Sequence, residues 1–305
     1  MGMYILKRLL SSLFTLWVVV TLVFFLIRLM PGGPFTDEMM TEQVRESLEA
    51  VHGLDRPLME QYFLHMGNLL RGDFGMSMVR RGRGVTETIA AGFPVSARLG
   101  LVTAFFSVSL GIALGIVSSL KHNKLPDRLI TVLTTLGNTI PSFVIGAALI
   151  YFFGVRWRLL PPTGFDSPQH YIMPVIALGG SSLAIITRLT RSELIDVKGL
   201  DYMRTAKAKG LSTYSIIAKH GLRNSLIPVV TFLGPMVAGI ITGGFVIENM
   251  FAIPGIGREL TSSIMNRDYT MLLGVVTFLC TLLIMANFIV DMLYLIIDPR
   301  IKYKG

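Results

Sequence analysis

Charged residues are scarce in this chain, and this scarcity decides its broad class. Asp, Glu, Lys and Arg make up 15% of the 305 residues, whereas a soluble domain carries about 25%. Hydrophobic residues reach 52%, and the mean hydropathy is +0.62. These values predict a membrane protein. The net charge of +9 is then more typical of membrane topology than of nucleic-acid binding.

Groups that could perform chemistry are also sparse. Cys280 is the only cysteine, which excludes a disulfide framework and any metal site built from several cysteines. The chain lacks a G-x-x-x-x-G-K-[ST] phosphate loop and a G-x-S-x-G nucleophile motif, and its five histidines never fall at i, i+4. We therefore predict no catalytic, cofactor-binding or metal residues. Any uphill transport must draw energy from an ion gradient or from a partner.

Long apolar runs dominate what is present. Six segments approach the roughly 20 apolar residues that a transmembrane helix needs, namely 9–30, 99–120, 129–153, 171–187, 226–247 and 271–297. The first run is too long for a signal-peptide core and is not followed by an A-x-A cleavage site, so we expect a retained span.

The positions of Lys and Arg predict the orientation of these spans. If the N-terminus is cytoplasmic, the cytoplasmic segments hold 16 Lys and Arg, and the short external loops hold 4. Short loops rich in Lys and Arg stay inside, so both termini are predicted to be cytoplasmic.

These spans suggest three parts: an N-terminal helix at 1–30, an extracytoplasmic loop at 31–98, and a core of five spans at 99–305 that includes a cytoplasmic loop at 188–225. In the external loop, TEQVRESLEAVHGL predicts a short amphipathic helix that ends at Gly53, and GDFGMS predicts a turn. We expect this loop to be a small ordered cap.

The span interiors bear on the source of energy. Ion-coupled carriers keep ionisable residues at mid-span because such residues are costly there and persist for function. Glu248 and Asp291 are the exceptions here, and both lie near span ends, which is typical of interfacial acids. We also see no inverted repeat. The sequence therefore favours a transporter that is energised by a partner protein over an ion-coupled carrier, a self-sufficient channel or a membrane anchor for a signalling complex.

The cytoplasmic loop at 188–225 is unusual for its eight Lys and Arg residues. Asp201 can cap a helix that ends at Gly210, and Ser212 can cap a second helix. The pattern predicts a helix, a glycine turn and a helix on the cytoplasmic face. The alternatives are a solvated loop whose charge serves topology alone and a DNA-binding helix-turn-helix.

This loop carries a family resemblance. DYMRTAKAKGLS and KHGLRNSLIPVV resemble the cytoplasmic EAA loop of ABC-importer permeases, in the form used by the oligopeptide/dipeptide branch. Gly210 falls in register, whereas His220 and Arg223 stand where the general pattern has Ile and Pro. Further stretches resemble the B-type subunit of that branch: GDFGMSM, FPVSARLG, PDRL, NTIPSFVIG, ITRLTRSEL, VIENMFAIPGIGREL, NRDY and VDMLYLIIDPRIKY.

The resemblance implies a fold and an assembly. The fold is an all-α integral membrane protein with six transmembrane helices, of the type I ABC importer permease class. The expected partners are a C-type permease subunit, two ATP-binding subunits, an extracytoplasmic substrate-binding protein and membrane lipid, without nucleic acid. ATP and Mg would be used by the ATPase subunits and not bound by this chain. The expected location is a bacterial or archaeal cytoplasmic membrane.

The resemblance also implies a cargo. Oligopeptides or dipeptides come first, and the same branch carries nickel complexes, glutathione and some sugars.

Three sets of site residues follow from the resemblance and the local chemistry. The residues expected to couple to the ATPases are Asp201, Tyr202, Arg204, Thr205, Ala206, Lys207, Lys209, Gly210 and Leu211. Ala206 is small and would allow close approach to a partner groove. The residues expected to line the pathway are Asn138, Pro141, Ser142, Gly239, Thr242 and Gly243, for which plain helix packing is the alternative role. An outer gate is expected at Glu248, Ile253, Pro254 and Gly255.

Overall fold

The computed structural model describes residues 2–29, 33–35 and 41–297. The predicted end of the first span at Met30 lies outside these residues, as does the basic C-terminal segment from residue 298. Among the residues named above, Lys207, His220, Arg223 and Gly243 are described only by their backbone.

The described residues form α-helices, two π-helical stretches at Ile150–Arg156 and Ile217–Gly221, and no strand. The α-helices are α1 Gly2–Arg28, α2 Glu42–Val51, α3 Leu58–Leu70, α4 Val85–Leu120, α5 Leu125–Thr139, α6 Ser142–Leu149, α7 Gln169–Lys198, α8 Asp201–Ala208, α9 Thr213–Ile216, α10 Leu222–Ser225, α11 Ile227–Gly243, α12 Phe245–Met250, α13 Ile256–Met265 and α14 Tyr269–Ile297.

Within the described residues, five helical stretches are long and apolar enough to cross a membrane: Ile5–Arg28, Val85–Leu120, Gln169–Lys198, Ile227–Met250 and Tyr269–Met292. A sixth span results if the bent pair Leu125–Thr139 and Ser142–Arg156 is counted as one. The predicted all-helical membrane fold with six spans is confirmed in this sense.

The third predicted span is not one straight helix. Its two halves meet at an angle of 105°. The break falls at Ile140 and Pro141, which both have extended ψ values, of 126° and 139°. Proline favours this geometry because its ring disfavours the helical conformation at the preceding residue, and Pro141 lacks the N–H that would continue the ladder.

Two further spans are longer than their apolar runs. α4 begins at Val85, well before the predicted start at residue 99, and α7 continues to Lys198, beyond the predicted end at residue 187. A span predicted from an apolar run ends where the first polar turn begins. The helix itself continues through polar turns, because its hydrogen bonds join backbone groups that every residue except proline supplies.

The chain divides into two compact units. The first comprises Met1–Ser96 and Pro254–Phe288, and the second Ala97–Ile253 with the residues from Ile289. The first unit has an aromatic-rich core that includes Phe24, Tyr62 and Tyr269, and the second an aliphatic core that includes Ile186 and Met236.

Small residues allow the helices of the second unit to approach closely. A Cβ atom on Gly115 would lie 2.5 Å from the Thr190 side chain, and one on Gly137 would lie 3.4 Å from the Gly180 carbonyl oxygen. Such contacts are typical of membrane helices, where close backbone packing replaces the hydrophobic drive available in water.

The segment between the first two spans contains more structure than the sequence predicts. α2 confirms the amphipathic helix that ends before Gly53, whose φ is +65°. A second helix, α3, was not predicted and packs against α1 through Tyr62. A turn with Gly72 and Gly75 at positive φ leads to the bridge between Met76 and Gly84.

Candidate functional site

The basic segment folds as predicted. α8 begins at Asp201, the chain turns at Gly210 with φ +77°, and α9 follows from Thr213. The backbone N–H of Ser215 donates to Ser212 Oγ at 3.3 Å, so Ser212 caps this second helix. The sign of φ at Gly210 explains the glycine, because a Cβ disfavours the left-handed region.

A small core holds this segment together. Val197, Met203, Ala206 and Ile216 form one buried cluster. The end of the Met203 side chain also lies close to Gly221, where an added Cβ would be 3.5 Å away. Residues 197–225 thus form a compact knob, which we call the coupling knob.

Most predicted coupling residues lie on the surface of the coupling knob. The exposed ones are Asp201, Tyr202, Arg204, Thr205, Lys209, Gly210 and Leu211. Arg204 and Asp201 approach to 3.8 Å across one helical turn. The expectation that Ala206 faces a partner groove is corrected, because this residue is 6% exposed and belongs to the core of the knob. Its small side chain fits the interior of this chain.

The base of the coupling knob is tied to the end of another span. Lys198 Nζ donates to the carbonyl oxygen of Ser119 at 2.7 Å. Ser119 lies in the last turn of α4, where backbone carbonyls have no partner within the helix. The lysine therefore both satisfies a helix end and joins α7 to α4 at the start of the knob.

A second tie involves a buried acid that the sequence analysis missed. Asp127, in the first turn of α5, is 2% exposed. Arg191 donates to both of its oxygens, from Nε at 2.7 Å and from Nη2 at 2.9 Å. Ser118 Oγ and the backbone N–H of Asn123 also donate to this carboxylate, the latter at 2.8 Å. We call this group the Asp127 centre; it joins α4, α5 and α7.

The Asp127 centre unites two of the resembling stretches. Asp127 lies in PDRL and Arg191 in ITRLTRSEL, 64 positions apart. Neither stretch carries a spacing signal that links it to the other, so the resemblance was the only hint that both matter. In the described part of the chain, including this centre, no three His, Cys, Asp or Glu side chains gather closely enough to hold a metal ion.

A comparable group in the first unit involves Asp268, in NRDY. Asp268 is 3% exposed and accepts hydrogen bonds from Ser77 Oγ, from the backbone N–H of Met78 at 3.1 Å, and from that of Met271 at 3.2 Å. The last bond caps the N-terminus of α14. We call this group the Asp268 centre; it ties GDFGMSM to the start of the last span.

Other resembling stretches also meet in space. Ser96 Oγ, in FPVSARLG, accepts the backbone N–H of Ile256 at 2.9 Å. Arg80, two residues beyond GDFGMSM, donates to Glu259 of VIENMFAIPGIGREL at 2.8 Å. Motifs that are weak one by one are thus the contact points of the fold.

The predicted pathway residues fall into two places. Asn138, Pro141 and Ser142 flank the 105° break between α5 and α6. Gly239 lies on α11 and lines a cavity of about 300 Å³ together with Ser182 and Pro235. Thr242 Oγ1 bonds the Ala238 carbonyl oxygen at 2.8 Å, a packing role within its own helix. Their part in transport stays a prediction.

The predicted gate residues do not form one group within a unit. Glu248 is 2% exposed in α12, and its carbonyl oxygen accepts the N–H of Ile253 at 2.8 Å. Both residues belong to the second unit, whereas Pro254 and Gly255 belong to the first. Gly255 precedes α13 as its N-cap, and a Cβ on Gly92 would lie 3.3 Å from its carbonyl carbon.

Comparisons with known proteins agree with this architecture. Residues 111–303 match the family described as "Binding-protein-dependent transport system inner membrane component". The dipeptide transport system permease protein DppB of Bacillus subtilis is 43% identical over 99% of this chain and 98% of its own length. The oligopeptide permease OppB of Haemophilus influenzae is 43% identical over 98% and 99%, and the glutathione permease GsiC of Escherichia coli K12 is 40% identical over 99% of both chains.

A solved structure shares the fold. The inward-facing MetNI methionine ABC transporter aligns with a TM-score of 0.58 over 70% of this chain and 97% of its own, at 15% identity. At that identity the likeness concerns the fold alone. The family match, the full-length relatives and the helical membrane fold together show that this chain belongs to the family of binding-protein-dependent transport system inner membrane components and is a permease subunit of an ABC importer.

Proposed function

We propose that this chain is the B-type permease subunit of an ATP-driven importer of peptides in a bacterial or archaeal cytoplasmic membrane. It would form half of the pathway beside a C-type subunit. Two ATPase subunits would bind below, and an extracytoplasmic protein would deliver the substrate. The coupling knob is the observation that carries this proposal, because it presents an exposed, basic helix on a buried base.

The construction of the knob suits the transmission of force. Its core, the Lys198 bond to Ser119 and the Asp127 centre leave little freedom at its base. A displacement applied to the exposed face of α8 would then move the ends of α4, α5 and α7 together. A flexible loop would absorb the same displacement.

The proposed pathway rests on the broken third span. Backbone that leaves the helical ladder at membrane depth is tolerated where it is buried in protein or lines a water-filled cavity. Asn138, Pro141 and Ser142 lie at such a break. We include Gly239, Thr242 and Gly243 in the pathway, and Glu248, Ile253, Pro254 and Gly255 in the outer gate, with both termini cytoplasmic.

The coupling role can be tested on the surface of the knob. In the reconstituted importer, the double variant Arg204→Glu and Lys209→Glu should lose transport and substrate-stimulated ATP hydrolysis, because it reverses two exposed charges at the ATPase contact. Gly210→Pro should have the same effect, since proline requires φ near −65° and the native φ is +77°.

The matched control is Arg71→Glu, an exposed arginine outside the knob that should leave transport intact. Full transport in the Arg204→Glu, Lys209→Glu variant would contradict the coupling role. Equal loss in the Arg71→Glu control would show that the effect is one of general charge.

The substrate is a separate question, and glutathione is the second candidate because GsiC is 40% identical. Uptake of a labelled dipeptide should be inhibited by unlabelled dipeptides and oligopeptides. Glutathione or a nickel complex that competes more strongly than any peptide would redirect the assignment within the same branch.

A further inference from the structure

The helix α3, between the first two spans, has three distinct faces. Tyr62 and His65 point towards α1, and Glu60, Gln61 and Asn68 form a mainly polar sector that also contains Leu64, which is 46% exposed. A third face carries Met59, Phe63 and Leu70, which lie within about 40° of one another at 100° per residue. These three side chains are 53%, 65% and 87% exposed.

An exposed apolar stripe of this kind is unusual for a helix in water. Its neighbour α2 provides the contrast, since α2 carries four charges in ten residues. α3 has Glu60 as its one charged residue in thirteen, and Arg56 pairs with it at 3.0 Å. A polar sector opposite an apolar stripe is typical of a helix at a membrane surface.

Contacts with α1 place α3 beside a membrane-spanning segment. The Tyr62 hydroxyl lies 2.9 Å from Thr21 Oγ1 and 3.1 Å from Trp17 Nε1. Trp17 lies eleven residues before the end of α1 at Arg28, which is about 16 Å along the helix axis at 1.5 Å per residue. The His65 ring stacks on Phe24 at 5.7 Å. α3 therefore crosses α1 below its end, within the length that spans the membrane.

The neighbouring part of α1 exposes apolar side chains, as the stripe of α3 does. Leu22 and Leu26 of α1 are also exposed apolar side chains, at 56% and 60%. Since α1 is a membrane span, a helix packed beside its last three turns lies at the same depth in the membrane. We propose that α3 lies in the membrane leaflet that surrounds the Arg28 end of α1, with Met59, Phe63 and Leu70 against lipid acyl chains.

The proposal is tested on the reconstituted importer with single cysteines in a Cys280→Ala background. Phe63→Cys and Met59→Cys sample the stripe, Ser47→Cys on exposed α2 is the aqueous control, and Leu22→Cys on α1 is the lipid control. In vesicles, a membrane-impermeant maleimide should label the stripe at least about tenfold more slowly than Ser47→Cys, because the reactive thiolate is disfavoured in hydrocarbon.

A second measurement separates lipid from protein. A bimane on Phe63→Cys should be quenched by phosphatidylcholine brominated on its acyl chains, to the extent seen for Leu22→Cys. Labelling as fast as Ser47→Cys would overturn the proposal. Protection without quenching by brominated lipid would also overturn it and would assign the stripe to a partner protein. The substituted side chains are exposed, and retained transport would verify that each variant is assembled.

Discussion

Each unit of this permease contains one buried aspartate centre, and the two carboxylates are bonded by different kinds of donors. Asp127 receives a charged partner, Arg191, and joins three helices at the base of the coupling knob. Asp268 receives one hydroxyl and two backbone N–H groups and caps α14. The first centre thus depends on the charge of its carboxylate, whereas the second depends mainly on its hydrogen-bond geometry.

The difference predicts unequal tolerance of substitution. Removal of one member of a buried ion pair leaves the other charge uncompensated. A neutral acceptor, by contrast, can replace a carboxylate that receives only neutral donors. The two units also differ in their packing, because the core of the first unit contains the aromatic side chains of Phe24 and Tyr62.

The largest effect is expected at the Asp127 centre. Asp127→Ala should lower the free energy of unfolding by about 3 kcal/mol, near the lower end of the range for buried pairs, because the Arg191 side chain keeps 27% exposure. SDS titration of the purified full chain measures this change. Asp127→Asn should lose most of the same stability. The double variant Asp127→Leu, Arg191→Met should recover part of this stability. No recovery would show that the uncompensated charge of Arg191 is not the cause of the loss.

A smaller effect is expected at the Asp268 centre. Asp268→Asn should cost within about 1 kcal/mol, since Asn is as good an N-cap as Asp and its amide oxygen can replace Oδ1, which accepts from both Met78 and Met271. Asp268→Ala should cost about 1–2 kcal/mol, because the buried N–H groups lose their acceptor. The same titration compares both centres directly. Equal losses in Asp127→Asn and Asp268→Asn would remove the proposed distinction.

The smallest effect is a pH dependence confined to the first unit. Burial, together with the nearby positive charge of Arg28, lowers the pKa of His65 to about 4. An unfolded histidine titrates near its ordinary pKa of 6.5. The contribution of neutral His65 is therefore complete above pH 6.5, falls as the pH drops towards 4, and is constant below that.

This pH dependence is measured by following the thermal midpoint of the purified chain between pH 7 and pH 4. His65→Phe should flatten the slope in that window, and His52→Gln, in the same segment, serves as the matched control. A slope that is unchanged in His65→Phe would assign the acid sensitivity to other groups.

Some features of the fold follow directly from local sequence. The spans are visible because about 20 consecutive apolar residues leave few alternatives to a membrane helix. The coupling knob is visible because Asp201, Gly210 and Ser212 are local signals of helix ends, each acting within a few residues. The exposed face of α8 could also be inferred, since it consists of charged and polar residues.

Other features depend on pairs of residues far apart in the chain. The Asp127–Arg191 and Asp268–Ser77 contacts span 64 and 191 positions. Either acid, taken alone, is an ordinary polar residue in a loop or a first turn. The burial of Ala206 was missed for the same reason, because a small residue beside charged ones fits an exposed contact as well as a packed one.

The sequence by itself determined the membrane class, the number of spans, the family and the location of the coupling knob. These depend on composition, on helix-end signals and on short motifs, which act locally. The tertiary structure decided how the motifs pair, that the third span breaks by 105°, and that α3 packs beside α1 with an apolar stripe outward. Such facts arise only when distant segments meet, because burial and hydrogen bonding are properties of the folded arrangement and not of any one stretch.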